Sequence, residues 1–416
     1  MTRIARTSTI CAKIITALLL IGCTEEPTAV PARELKITAE DGAAKDAFGA
    51  AVAIAGDTVA VGSVFDDDLG EDSGSAYTFV RATDGSWSQE SKLVPPKGQA
   101  NDWFGSAIAI SADTLIVGAP NATENALATG AVHVFFRNGT EWAHQATLTP
   151  ASGAADDQFG YALAIDGDTL IVGAPGDDEV AMDAGAVYLF KRSGASWTEQ
   201  TKLVPTPGGA SGFFGAGVAL SKTTALVGAW DDGSAKNAGL VFAYISDGNT
   251  WTLEATLVPT DPHPEDIFGY SLGLSNNTAI IGAKGADAKG TDSGAAYIFI
   301  RNGSKWDQDQ KLVPQDGAAG DAFGYSVAVW NDLATVGAYW DDDRGDYSGS
   351  AYSFSLAGGN WIELDKHAPA DGIAGQKFGC SVALDGDITV AGAFGDIIAN
   401  QETGSAYVFS SVETAQ

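Results

Sequence analysis

The chain has 416 residues, 45% of them hydrophobic and 18% charged, with 51 Gly and 14 Pro, which excludes a disordered acidic polymer and a collagen-like chain. Acidic residues outnumber basic ones 53 to 23, and a net charge of −30 repels phosphate backbones and anionic headgroups, which argues against nucleic acid as a partner.

Residues 1–22 carry Arg3, Arg6 and Lys13 and then an uncharged run over 14–22, the order of a secretory signal. Nine residues cannot span a bilayer, which takes about 20. The run ends in Leu20, Ile21, Gly22, Cys23 and resembles the lipobox of bacterial lipoproteins. That resemblance implies a signal peptide over 1–22, lipidation of Cys23, a polar Pro-bearing tether over 23–33 and a place at the outer membrane or cell surface of a bacterium. Removing the signal takes away three positive charges and leaves −33. Cys11 leaves with it, so with Cys23 capped only Cys380 stays a thiol, and no disulfide is expected within the chain. Cys380 follows a Phe-Gly pair where other copies of the repeat have Ala, Ser or Tyr, which reads as a small buried side chain.

From residue 34 onward one unit repeats. Phe-Gly pairs begin at Phe48, Phe104, Phe159, Phe214, Phe268, Phe323 and Phe378, an almost constant spacing. Each opens a short alternating strand, then a tight turn such as AGDT or SNNT, then an apolar strand ending at a glycine such as Gly62 or Gly118. This is the pattern of a hairpin. A polar loop leads to a third strand opened by Gly and carrying an aromatic at its fourth position (Tyr77, Tyr188, Tyr297, Tyr352, Tyr407; His133 once). A second tight turn leads to a fourth strand holding a Trp and running on to a Pro, as with Trp142 and Pro150. Four strands per unit make a propeller blade. We therefore expect an all-β, seven-bladed β-propeller of four-stranded blades over 34–416.

The ends say how the ring closes. The last copy stops shortly after Phe409, before any Trp strand, while Lys36-Ile37-Thr38 and the following EDGAAKDAFG match Lys311-Leu312-Val313 and QDGAAGDAFG at a constant offset. The N-terminal strand is expected to complete the last blade, leaving no long open edge. The span 32–416 then divides into seven equal units.

The Phe-Gly openings and the Gly-Ala-Pro endings at Gly118-Ala119-Pro120 and Gly173-Ala174-Pro175 resemble FG-GAP repeats, the units of the integrin α-subunit N-terminal propeller. The resemblance implies a seven-bladed propeller with an adhesive or ligand-binding role at a cell surface. The calcium loop that such blades often carry between their first two strands does not transfer, because that connection is here a tight turn with at most one acid.

In a four-stranded meander the second-to-third and blade-to-blade connections share one face, and here they are the long ones. Together they hold 32 acids and seven Lys or Arg, a net of 25 negative charges that can bind cations, attract basic protein patches or keep the protein soluble. Within them the matching runs Asp66-Asp67-Asp68 and Asp341-Asp342-Asp343 are candidate calcium ligands, since three successive carboxylates repel one another unless solvated or metal-bound. Arg344-Gly345-Asp346 is the tripeptide that integrins recognise in ligands, and the turn-rich composition alone can produce it. Asp two residues before Phe-Gly (Asp46, Asp102, Asp157, Asp266, Asp321) reads as a turn-stabilising side chain, and the Trp and Tyr series as packing. The four His fall at separate places, and no nucleophile elbow, zinc spacing or phosphate loop occurs. The expected function is a monomeric, lipid-anchored, non-enzymatic binding or adhesion module for a protein, glycan or divalent cation. A hydrolase or lyase with its site in the central channel and a purely structural envelope protein are the alternatives.

Overall fold

Runs such as TLIVGA and AIAIS are too short and too regularly cut by two-residue turns to support a helix, so their backbones pair as antiparallel strands. The computed structural model describes residues 33–124, 127–205, 212–231 and 238–410. Cys23 and the remainder of 1–32 lie outside the described residues. Seven four-stranded antiparallel sheets follow one another, and the described residues contain no helix. Six blades are meanders in chain order, over 48–93, 107–148, 162–203, 218–257, 268–312 and 326–367. The seventh takes its inner three strands from the end of the chain and its outer one from Arg33–Ile37, which pairs antiparallel with Ser405–Ser410 from Arg33↔Ser410 to Ile37↔Ala406. The fold expected from the repeat is the fold observed.

Two sets of glycines set the spacing of the ring. A Cβ on Gly118 would lie 2.1 Å from the carbonyl oxygen of Gly160, and one on Gly392 would lie 1.9 Å from that of Gly49. The glycine ending each second strand thus packs against the Phe-Gly glycine of the next blade. The phenylalanine beside it is fully buried in every copy and meets the third-strand aromatics edge to face, as Phe48 does Tyr77 at 5.4 Å. Such pairs add about 0.5–1.5 kcal/mol beyond their burial.

At the outer edge, blades are tied by side chains. Glu90 of blade one accepts from Arg137 (2.6 Å) and from the indole of Trp142 (2.9 Å) in blade two, and Glu254 serves Arg301 and Trp306 alike between blades four and five. The Arg301 guanidinium holds the Glu254 carboxyl below its ordinary range. Trp142 and Trp306 are therefore packing residues and polar links together. At the tight-turn end, a side chain just before one turn accepts from the backbone of the next: Asp385 from Gly56, Ser111 from Gly167, Asp166 from Lys222, Ser221 from Asn276, Ser275 from Asn331. Ala55 and Trp330 stand at the two corresponding places that lack a polar side chain. The innermost strands line the central channel with Val, Ile, Leu, Ala and one Gly.

Candidate functional site

The long connections are held by a recurring cluster of one tyrosine, one lysine and two or three aspartates. In blade one the Tyr77 hydroxyl stands between the carboxylates of Asp41 (2.9 Å) and Asp66 (3.1 Å). Lys92, on the fourth strand, pairs with Asp41 (2.7 Å), Asp66 (2.9 Å) and Asp68 (2.6 Å). Blade six repeats this with Tyr352, Lys366, Asp316, Asp341 and Asp343, and blade seven with Tyr407, Lys36, Asp371 and Asp396. One acid comes from the connection entering the blade and the others from its second-to-third loop, so each tyrosine and lysine clasps two loops. Burial alone would raise the Asp41 carboxyl, but Lys92 and Tyr77 hold it below its ordinary range. The tyrosines are fully buried rings with a polar task, which exceeds the packing role their spacing suggested.

The carboxylates expected to hold calcium are thus arranged around an ammonium. Asp66 and Asp68 share Lys92, and Asp341 and Asp343 share Lys366, while Asp67 turns away to accept from the backbone of Asp72 at 2.8 Å. Asp342 is exposed, and its carbonyl accepts from Gly345. Among the described residues, no three His, Cys, Asp or Glu are grouped to hold a metal ion. Sequence shows the runs of three but not the fourth-strand lysine that pairs with two carboxylates of each.

Arg344, Gly345 and Asp346 lie in a loop shared with other blades. Gly345 has φ +122°, and its counterparts Gly70 and Gly290 have +133° and +135°; the flanking Asp343↔Gly345 bridge recurs as Asp68↔Gly70 and Ala288↔Gly290. The conformation belongs to the repeat, and Leu69-Gly70-Glu71 occupies it in blade one. Arg344 and Asp346 are exposed.

The aspartates before Phe-Gly cap turns as expected: Asp46 accepts from Ala43 at 2.7 Å and Asp321 from Ala318 at 2.7 Å. Burial pushes both carboxyls up to about 6. Cys380 is buried as expected, its thiol pushed up to about 12 by that burial and directed at the carbonyl of Gly49.

Blade two departs from the pattern at four places at once. Lys97, Ala122, His133 and Thr147 replace the entering acid, the loop acid, the tyrosine and the lysine. Two of the histidines do converge, against the sequence reading: His133 Nδ1 lies 3.5 Å from His144 Nε2, and Thr147 Oγ1 is 3.2 Å from each. A register shift between Val134 and Phe135 brings His144 to His133, and a one-residue bulge of this kind leaves no mark in the sequence. Burial drives His133 down to about 3, so it stays neutral.

Sequence reasoning missed the mouth of the channel at the long-loop end. The residue after Phe-Gly is Tyr in three copies, Tyr161, Tyr270 and Tyr325, and the residues after the second strand include Trp230, Lys284, Tyr339 and Trp340. These departures form a rim. Tyr270 meets Tyr325 (5.1 Å between centroids), Tyr325 meets Tyr339 (4.0 Å), Tyr339 meets Trp340 (5.1 Å) and Trp340 meets Tyr347 (6.2 Å). Phe213 stacks on Trp230 at 4.4 Å. Tyr161 is 44% exposed and Tyr347 54%. The signal was available as large aromatics at positions where other copies carry Ala, Ser or Pro, such as Ala50, Ser106 and Pro120.

A family model described as FG-GAP repeat matches the chain seven times, over residues 32–79, 87–135, 142–190, 197–244, 251–299, 306–354 and 361–409. A search of curated proteins finds no match. Each matched segment opens on a fourth strand and ends on the third strand of the following blade, so the first of them starts at the strand that closes the ring. With seven matches covering most of its length and seven blades in its fold, the chain belongs to the FG-GAP repeat family.

Proposed function

We propose that this propeller is a non-catalytic recognition module, exported and held to a bacterial membrane through lipid on Cys23, that offers its long-loop face to a macromolecular partner. Propellers of this repeat are often protein-interaction modules. The observation that carries the reading is the inequality of the two ends. One is built of tight turns, of which the first-to-second ones are bonded to each other, and the other gathers the long connections and the aromatic departures from the repeat. Binding surfaces arise where loops stand on a rigid scaffold. The aliphatic lining of the channel supports binding over catalysis, since among the described residues the inner strands line it with Val, Ile, Leu, Ala and Gly.

The acidic balance of the face supports a basic or polar partner. Five lysines on fourth strands reach into the loops and lower the net 25 negative charges by five, which leaves the face strongly negative at moderate salt. In affinity capture from native membranes, the wild-type domain is expected to retain a partner that Glu71→Gln, Asp342→Asn and Asp346→Asn together release. Retention by this triple variant would refute the acidic-face reading. Metabolic labelling with a fatty acid, present in the parent and absent in Cys23→Ser, tests the anchor.

A further inference from the structure

We propose that the mouth of the central channel, at the long-loop end beside blades five and six, binds an acidic sugar: a pyranose ring carrying a carboxylate, stacked on the tyrosines and ion-paired with Lys284. This rests on the recognition reading above and names a ligand for its centre.

Lys284 is the starting point. The lysines that reach into the outer loops each clasp at least one carboxylate within 3 Å. Lys284 makes no ion pair or hydrogen bond among the described residues. Its ammonium lies 3.8 Å from the ring centre of Tyr270 and 5.2 Å from that of Tyr325. It stands where other second strands exit with Val, Pro, Trp, Tyr or Phe. Burial lowers its proton affinity, and only the distant charge of Asp292 opposes this. A half-buried cation without a counter-ion is completed by an anion, which regains in the complex what the ammonium lost in hydration.

The surroundings select the rest of the ligand. The run Tyr270, Tyr325, Tyr339, Trp340, Tyr347 leads from Lys284 outward to exposed rings, giving flat apolar faces edged with hydroxyl groups. An amphipathic ring with C–H faces and a polar rim fits such a surface. A basic side chain is disfavoured, because Lys284 already covers the Tyr270 face that would attract it. The channel beneath is aliphatic, so a polar ligand stops at the mouth. The surrounding carboxylates repel a polyanion, which leaves a single acidic unit, such as the end of a glycan.

The test is saturation-transfer NMR on the full chain with glucuronate, glucose and N-acetylglutamate amide as separate probes at equal concentration. Glucuronate is expected to give ring-proton signals about fivefold stronger than glucose, the scale of one partly solvated ion pair. Lys284→Met is expected to bring glucuronate down to the glucose level, and Tyr270→Ala to weaken both sugars, with Lys305→Met unchanged. The proposal is overturned by absent glucuronate signals, by equal signals from the two sugars, by signals that survive both mouth substitutions, or by stronger transfer to the glutamate probe, which would assign the site to an acidic peptide. The wild-type comparison decides even if a variant misfolds. Membrane capture can succeed where this experiment fails, so the two readings fall separately.

Discussion

At the scale of single residues, the ring depends on positions where a methyl group does not fit. A Cβ on Gly173 would lie 1.9 Å from the Gly215 carbonyl oxygen, and that oxygen belongs to the backbone of the next blade. Gly173→Ala is therefore expected to destabilise by about 1–3 kcal/mol, the usual cost of overpacking, measured as a lower denaturation midpoint at unchanged m-value. A sequence reader sees those glycines recur and cannot see what stands opposite them. Asp46 makes a different prediction. Its carboxyl titrates near 6 in the fold against an ordinary value near 3.8, so the native state binds the extra proton and stability is lost as pH rises through 6. Asp46→Asn, which can still accept from Ala43, is expected to gain about 2 kcal/mol over the parent at pH 8 and to lose that advantage by pH 4. Chemical denaturation at the two pH values checks it; a pH-independent difference would contradict it. Blade seven already carries the neutral Gln376 at this position.

Strands and turns were legible in the sequence because their signals are local. Alternation, Asn and Gly in tight turns, and a Phe-Gly pair recurring at near-constant intervals from Phe48 to Phe378 are enough to place four strands per unit. The side-chain partnerships were not legible, since they join residues one or more strands apart along the chain: Lys92 with Asp66 and Asp41, Trp142 with Glu90. Their register also depends on a shift between the third and fourth strands, as at Thr78/Phe79 and Leu189/Phe190. For this reason the sequence shows two runs of three aspartates but not the lysine that pairs with two carboxylates of each. The linked turns of the opposite end offer a check on this scale. Trp330 is 39% exposed and interrupts the series just where a polar side chain would reach the turn at Gly386. Trp330→Asp, matching Asp385 and Asp166, is expected to raise stability by about 0.5–1.5 kcal/mol, one added hydrogen bond. No gain in thermal midpoint would show that these bonds contribute nothing there.

For the molecule as a whole, one short strand makes the difference between a ring and an open arc. Arg33–Ile37 covers the edge of Ser405–Ser410, and Lys36 adds ion pairs to Asp371 and Asp396. A chain shortened to begin at Thr38 is expected to keep six intact blades yet to elute as oligomers by gel filtration, because an exposed edge strand recruits another. A monomeric elution with an unchanged melting temperature would show the closure to be dispensable. The same arrangement imposes an order of events. The strand Arg33–Ile37 has no partner until the six blades between it and Ser405–Ser410 have been synthesised, so the seventh blade is the one that waits longest to assemble. The clasp of the ring is therefore the part that locks last, and whatever draws on the segment before Arg33 pulls directly on that lock.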